Sequence, residues 1–209
     1  MARKFSSRAD EVRRAIAVEA ARIMSEQGID DYGLAKRKAA DRLGVSEASA
    51  LPKNTEIEAA LAEHQRLFVA DTHPHTLSEQ RRAALLAMQL LKEFEPRLVG
   101  PVLSGTATEH TDVDLHIFAE RAEAVVLKLI DRGIPHELVE RRVKMDADRV
   151  LNFPAVRFAA GEQSIDATVF PRDGIRQSPY SPVDGKPMKR ANAMELQALI
   201  KDSGEDRKG

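Results

Sequence analysis

The sequence contains no cysteine and no tryptophan, and aromatic residues make up only 4% of its 209 residues. The absence of cysteine excludes disulfides, thiolate catalysis, iron–sulfur clusters and zinc sites built on cysteine. The scarcity of aromatic rings argues against a stacking platform for single-stranded nucleic acid, because such platforms rely on exposed rings. The function classes that remain need neither thiols nor a row of aromatic side chains.

The sequence also has almost no net charge, since 32 Lys and Arg stand against 33 Asp and Glu, which gives a formal charge of -1. No global field would draw the chain to nucleic acid, although a local basic patch could still do so. No apolar run approaches the roughly 20 residues that span a bilayer, and residues 1–8 lack the apolar stretch of a signal peptide. We therefore expect a globular, cytoplasmic protein without a membrane partner.

The first 94 residues have apolar side chains three and four positions apart, which is the spacing of helices that bury one face. A final stretch near the carboxyl end has the same spacing. The predicted helices cover 10–26, 32–43, 56–68, 78–94 and 191–201, and residues 71–76 are predicted to form a loop.

Short segments rich in β-branched and aromatic residues follow residue 96 and predict strands. The predicted strands cover 98–103, 113–118, 136–143, 154–158 and 164–170, with a helix over 120–131. A turn at 160–162 fits a hairpin between the last two strands. The fold class is therefore α+β, with a mixed sheet and flanking helices in the core. The predicted domains are a helical region over 1–94, the core over 95–172, and a basic irregular segment with a C-terminal helix over 173–209.

Asp112 and Asp114 are the first candidates for a functional site. On a strand, residues two apart project to the same face and lie about 7 Å apart, while Val113 and Leu115 project to the other face. Two carboxylates on one face can bind Mg²⁺, because hard cations prefer oxygen ligands. The pair alone is a weak signal, and the alternative is a solvated strand end.

The residues before this pair strengthen the prediction. Glycines at 100 and 105 could let the backbone approach a triphosphate closely. The segment VGPVLSGTATEHTDVDL, residues 99–115, resembles the signature of the nucleotidyltransferase superfamily of the DNA-polymerase-β type. That signature has an apolar residue, Gly-Ser, a gap of about ten residues, and then Asp-apolar-Asp-apolar. Gly100 matches its first glycine, and Thr111 takes the place of the Ser or Thr before the first aspartate.

The resemblance implies a third carboxylate on a later strand, and Asp166 supplies it within the apolar segment 164–170. An acid is otherwise costly to bury in such a strand, and the alternative is an aspartate on the solvent face of an edge strand. By resemblance, Asp112, Asp114 and Asp166 would be the catalytic residues and would bind two Mg²⁺ or Mn²⁺ ions. Asp166 would also help to deprotonate the acceptor.

The resemblance implies a polymerase-β-like nucleotidyltransferase core. Its reaction transfers a nucleoside monophosphate from a nucleoside triphosphate, such as ATP, to a hydroxyl acceptor, and pyrophosphate leaves. The acceptor stays open between an RNA end, a protein side chain and a small molecule.

Pro101 is the position at which the sequence departs from the family, because a serine usually stands there. Proline has neither an N–H nor a hydroxyl to offer a phosphate, so the role passes to Ser104 or Thr106, or the affinity for triphosphate falls. A register that starts at Gly105 leaves only five residues before Asp112, and we prefer the register at Gly100. The expected nucleotide-binding residues are Gly100, Ser104, Gly105, Thr106, Arg172 and Lys189.

Other interpretations stay open. The chain could be a catalytically weak regulatory protein that keeps the fold and binds nucleotide or nucleic acid, although the presence of all three carboxylates argues against it. The basic segment around Lys36 could bind nucleic acid, although a solvated helix face is the preferred interpretation. His116 has the parity of the two aspartates and could face the site, but we prefer a packing or surface role for it.

Overall fold

The structure, a computed structural model, describes residues 8–45, 51–70 and 72–205. The helices in this part of the chain are α1 (Arg8–Gln27), α2 (Tyr32–Arg42), α3 (Asn54–Phe68), α4 (His73–Leu90), α5 (Gly100–Ser104), α6 (Ala122–Asp131) and α7 (Ala193–Glu205). The strands are β1 (Arg97–Leu98), β2 (Val113–Phe118), β3 (His136–Lys144), β4 (Val150–Ala160) and β5 (Gln163–Phe170). Short 3₁₀ helices cover Lys92–Phe94 and Arg172–Arg176. The predicted α+β class is confirmed, with its N-terminal helical region, mixed sheet and C-terminal helix.

The chain divides into two compact units. Residues up to His73, together with Thr108–Thr111 and Pro182–Asp184, form the first unit. The second unit contains Pro74–Ala107, Asp112–Ser181 and the residues from Gly185 onward. The domain limits of 1–94, 95–172 and 173–209 remain a prediction.

Three helices build the core of the first unit. α1 buries Ile16 and Ile23 against Ala35 of α2 and Ile57 of α3. The start of α2 is capped by Asp31, whose carboxylate accepts a 2.8 Å hydrogen bond from the backbone N–H of Leu34. Alanines dominate the contact surfaces, so these helices can approach closely and still exclude water.

The sheet of the second unit has the strand order β1-β2-β5-β4-β3. β2 and β5 are parallel, and the other neighbouring pairs are antiparallel, so the sheet is mixed as expected. β4 and β5 form the predicted hairpin, whose turn contains Gly161 at φ +65°. One face of the sheet packs against helices, since Leu115 and Ile165 share a buried cluster with Leu129 of α6 and Leu196 of α7.

Two predicted segments differ from the structure. The predicted strand over 98–103 is wrong beyond Leu98, because residues 100–104 form α5. Gly100 turns the chain at φ +71°, and the fixed φ of Pro101 suits the first turn of a helix, where its missing N–H is not needed. The predicted loop over 71–76 is wrong from His73 onward, where α4 begins, while residue 71 lies outside the described residues.

Among the described helices, none is both long enough and apolar enough to pass through a membrane.

A pair of leucines in α6 tests how the sheet and its covering helices are held together. Leu129 is fully buried, whereas Leu127 on the same helix is 59% exposed. Leu129→Ala should lower the free energy of unfolding by about 2–5 kcal/mol, because it removes buried methyl groups and leaves a cavity. Leu127→Ala should change it by less than about 0.5 kcal/mol. Urea denaturation followed by circular dichroism measures both values, and equal losses would contradict this packing.

Candidate active site

Asp114 and Asp166 lie directly opposite each other on the adjacent parallel strands β2 and β5. Residues paired in this way share a face, and neighbouring strands are about 4.8 Å apart, so the two carboxylates project side by side. Asp112 comes immediately before β2 with the same parity as Asp114. Asp112 and Asp114 are partly buried, while Asp166 is only 2% exposed. The structure therefore brings the two sequence-distant aspartates of the predicted site onto one face.

Gly100 lies against the carboxylate of Asp114. A Cβ atom at position 100 would come within 2.7 Å of Asp114 Oδ2, and the φ of +71° would strain any larger residue there. The backbone N–H of Val99 donates a 3.1 Å hydrogen bond to the carbonyl oxygen of Asp114. The main chain at Gly100 thus lies against a carboxylate of the predicted site, and its approach to a triphosphate remains a prediction.

The two hydroxyls that could replace the missing serine contact each other. Ser104 Oγ and Thr106 Oγ1 are 3.0 Å apart, and Ser104 Oγ also donates to the carbonyl oxygen of Pro101 at 3.3 Å. Gly105 ends α5 at φ +90°, and its N–H donates to the same carbonyl at 2.8 Å. This closed turn holds Ser104 at the surface and Thr106 in the interior.

The two cations predicted to bind nucleotide are both exposed. Arg172 begins the 3₁₀ helix after β5, and its Nε lies 4.0 Å from Glu120 Oε1, with 74% of the arginine side chain exposed. Lys189 lies in the irregular segment before α7. A role for either residue in nucleotide binding remains a prediction.

Arg141 and Arg157 are the site residues that sequence reasoning missed. Arg157 lies directly opposite Asp166 in the hairpin, and its Nε donates to Asp166 Oδ2 at 2.9 Å. Arg141 on β3 donates to the same oxygen through its Nη2. The turn at 160–162 could have placed Arg157 opposite Asp166 by counting back along the hairpin. No sequence signal points to Arg141, because its contact crosses an intervening strand.

The charges of the aspartates act together on Arg141. The pKa of its guanidinium is raised above the ordinary value, first by the hydrogen bond to Asp166 and then by the charges of Asp166, Asp114 and Asp112, against partial burial that lowers it. Arg141 therefore lies in the field of all three carboxylates, although it makes its ion pair with only one of them.

The carboxylates fit the expected metal ions only in part. Asp112 and Asp114 offer oxygen donors of the kind that Mg²⁺ and Mn²⁺ prefer, and the glycine at 100 leaves room beside Asp114. Asp166 does not fit as a third ligand in this arrangement, because two guanidinium groups hold its Oδ2. Within the described residues, no three His, Asp or Glu side chains converge into a group that could hold a metal ion.

His116 continues the same face of β2 and is buried, with 6% exposure. Its Nδ1 accepts a 3.1 Å hydrogen bond from Arg190 Nε, so the ring proton resides on Nε2. Burial lowers the pKa of His116 to about 3, and the charge of Arg190 adds to this effect. The preferred packing role agrees with this environment, since the ring also lies edge-on against Phe170 at 4.7 Å between centroids.

Arg190 fixes the end of this face. Its Nη1 donates to the carbonyl oxygens of Gly174 and Ile175, each at 3.1 Å, and its guanidinium lies 5.0 Å from the centre of the Phe118 ring. Burial, with the charge of Arg97, lowers the pKa of Arg190 to about 10. The arginine thus joins β2 to the 3₁₀ helix that follows β5 and keeps His116 neutral.

The neutral His116 should make the protein less stable in acid. Its pKa is about 3 in the folded protein against an ordinary value of 6.5, so between these values the unfolded chain binds a proton that the folded chain does not. Stability is therefore fully present above pH 6.5 and is lost as the pH falls toward 3, by at most about 1.4 kcal/mol per pH unit.

Urea denaturation of wild type and His116→Gln between pH 7 and 4 measures this contribution. The variant should lose a smaller part of its stability over that range, because glutamine can accept the Arg190 hydrogen bond and has no proton to gain. His75→Gln is the matched control, since the His75 side chain is 70% exposed. An unchanged pH dependence in His116→Gln would contradict the assignment.

Comparison of the chain with protein-family models, with curated proteins and with solved structures gives no match.

Proposed function

We propose that the protein is a metal-dependent nucleotidyltransferase, which transfers a nucleoside monophosphate from a nucleoside triphosphate to a hydroxyl acceptor and releases pyrophosphate. The observation that carries the proposal is the pairing of Asp114 with Asp166 on adjacent parallel strands, with the backbone of Gly100 against Asp114. The resemblance of residues 99–115 to the nucleotidyltransferase signature supports it. We also propose a cytoplasmic location, with RNA, a protein or a small molecule as the acceptor.

Each part of this face has a role in the proposed reaction. Asp112 and Asp114 would hold a Mg²⁺ ion, which would offset the negative charge of the phosphate oxygens. The acceptor oxygen forms a bond to the α-phosphorus, the bond between the α-phosphorus and the bridging oxygen breaks, and pyrophosphate leaves with that electron pair. Arg141 and Arg157 supply positive charge on the same face, in a form that suits phosphate oxygens.

Asp166 is the residue whose proposed role requires a change. Its Oδ2 already accepts hydrogen bonds from two guanidinium groups, which occupy the space around that oxygen. An acceptor hydroxyl can approach this oxygen only after at least one arginine leaves it. The other candidate function, a regulatory protein that binds nucleotide without turnover, is favoured by this same ion pairing and by the proline at 101.

Asp114→Asn separates the two candidate functions. The change keeps the volume of the side chain but removes the charge, so pyrophosphate release should fall at least about a hundredfold, since a metal ion contributes several kcal/mol to such a reaction. The melting temperature should not fall, because the change also removes the repulsion between Asp114 and Asp166.

The assay supplies each of the four ribonucleoside triphosphates with Mg²⁺ or Mn²⁺, and total cell RNA and protein serve as acceptors. Asp131→Asn, at the exposed end of α6, is the matched control and should retain wild-type activity. If wild type and Asp114→Asn release pyrophosphate at the same background rate with every triphosphate, the regulatory function replaces the catalytic one.

A further inference from the structure

One carboxylate on the site face is held by two cations. Asp166 is 2% exposed, and Arg141 and Arg157 both donate to its Oδ2. A buried carboxylate needs a partner, but one guanidinium group is enough to balance its charge. The second arginine is therefore available to another anion without leaving Asp166 uncompensated.

The two arginines are not equivalent. Arg157 stands directly across from Asp166 in the β4–β5 hairpin, so its ion pair is part of the strand pairing. Arg141 lies opposite Phe153, which precedes Arg157 by four residues in β4, and its side chain reaches diagonally over β4 to Asp166. The two side chains are similarly exposed, at 39% for Arg141 and 37% for Arg157, but Arg141 lies on the edge strand β3 and has no strand-pair position opposite Asp166. Arg141 is thus the arginine that can exchange partners at low cost.

The charge on this face limits how many metal ions it can hold. Around the carboxylates, the three aspartates with Arg141 and Arg157 leave one net negative charge, which a single divalent cation already exceeds, and Arg190 adds a positive charge at the far end of the face. A second cation would approach a face that is positive overall and a carboxylate, Asp166, whose Oδ2 two arginines already hold. A triphosphate brings several negative charges, and arginine binds phosphate oxygens in a two-pronged geometry that matches its planar group.

We propose that Arg141 is a triphosphate-binding residue that masks Asp166 until a nucleotide arrives, a role that deepens the proposed function and rests on it. In the nucleotide-free protein, Asp112 and Asp114 would hold one divalent cation, while Asp166 stays with both arginines. A triphosphate would draw Arg141 away from Asp166, which would leave the carboxylate with Arg157 alone and able to contribute to a second ion. Full occupancy of the metal sites would therefore depend on the substrate.

Metal stoichiometry without nucleotide tests the masking. Mn²⁺ is titrated into the protein, and the free ion is followed by its electron paramagnetic resonance signal. Wild type should bind one ion per chain, and Arg141→Gln should bind two, because Asp166 then keeps only Arg157 and the face carries one more negative charge. Arg142→Gln is the matched control on the opposite face of β3 and should bind one ion. Arg141→Lys should also bind one, since the ammonium group keeps the charge.

Triphosphate affinity tests the second part of the proposal. A non-hydrolysable ATP analogue and inorganic triphosphate are each titrated in EDTA, so that no metal ion contributes. Arg141→Gln should bind both at least about tenfold more weakly than wild type, which corresponds to the loss of a charged hydrogen bond. The affinity of Arg141→Lys for each ligand should lie between those of wild type and Arg141→Gln, and the affinity of Arg142→Gln should equal that of wild type. One substitution thus raises metal occupancy and lowers triphosphate affinity, a combination that a purely structural role for Arg141 would not produce.

The outcomes separate this inference from the proposed function. Two Mn²⁺ ions on wild type without nucleotide, or an Arg141→Gln variant with wild-type stoichiometry and affinity, would overturn the masking and leave the nucleotidyltransferase proposal intact. If wild type binds neither Mn²⁺ nor triphosphate, the proposed function is wrong, and the inference is wrong with it. If Arg141→Gln does not fold, as judged by circular dichroism, Arg141→Lys decides the question through triphosphate affinity, and wild-type affinity in that variant would overturn the inference.

Discussion

Asp114 and Asp166 face each other on adjacent parallel strands, and like charges in that position repel each other. Asp166 is also almost completely buried, so its charge would be costly without a cation beside it. The hairpin supplies Arg157 directly opposite, and the edge strand supplies Arg141 from further away. The two arginines therefore compensate for the two carboxylates that lie side by side. A protein that needed only a stable sheet would place apolar or small polar residues at these positions.

The opposite face of the sheet explains why this pairing holds its register. Residues that alternate with the aspartates are buried against helices α4, α6 and α7, and a slip of one residue would move them into the charged face. At the far end of β2, Arg190 joins the strand to the 3₁₀ helix after β5 through His116 and two backbone carbonyls. The carboxylates are thus held between a packed core behind them and a fixed polar cluster beside them. The proposed phosphate chemistry would need such support, because catalytic groups must be held in place by packing and hydrogen bonds.

Local patterns in the sequence predict much of this fold and part of the site. β2 has its predicted limits, the hairpin around residue 161 is confirmed, and strand parity alone places Asp112 and Asp114 on one side of β2. The sequence misleads where apolar residues follow a glycine with positive φ, since Val102 and Leu103 lie in α5 and not in a strand. The pairing of Asp166 with both Arg157 and Arg141 could not be predicted as a whole, because Arg141 reaches Asp166 across β4. That contact depends on the pairing of three strands, β3, β4 and β5, which no local pattern encodes.

The central claim is that this face binds a metal ion and a triphosphate at the carboxylates. Anomalous diffraction from crystals grown with Mn²⁺ and a non-hydrolysable nucleoside triphosphate would locate both directly. The account predicts an anomalous peak within about 2.5 Å of carboxylate oxygens of Asp112 and Asp114, with the phosphates of the nucleotide beside Gly100 and Arg141. Clear density for the nucleotide elsewhere on the protein, with no manganese peak at either aspartate, would contradict it.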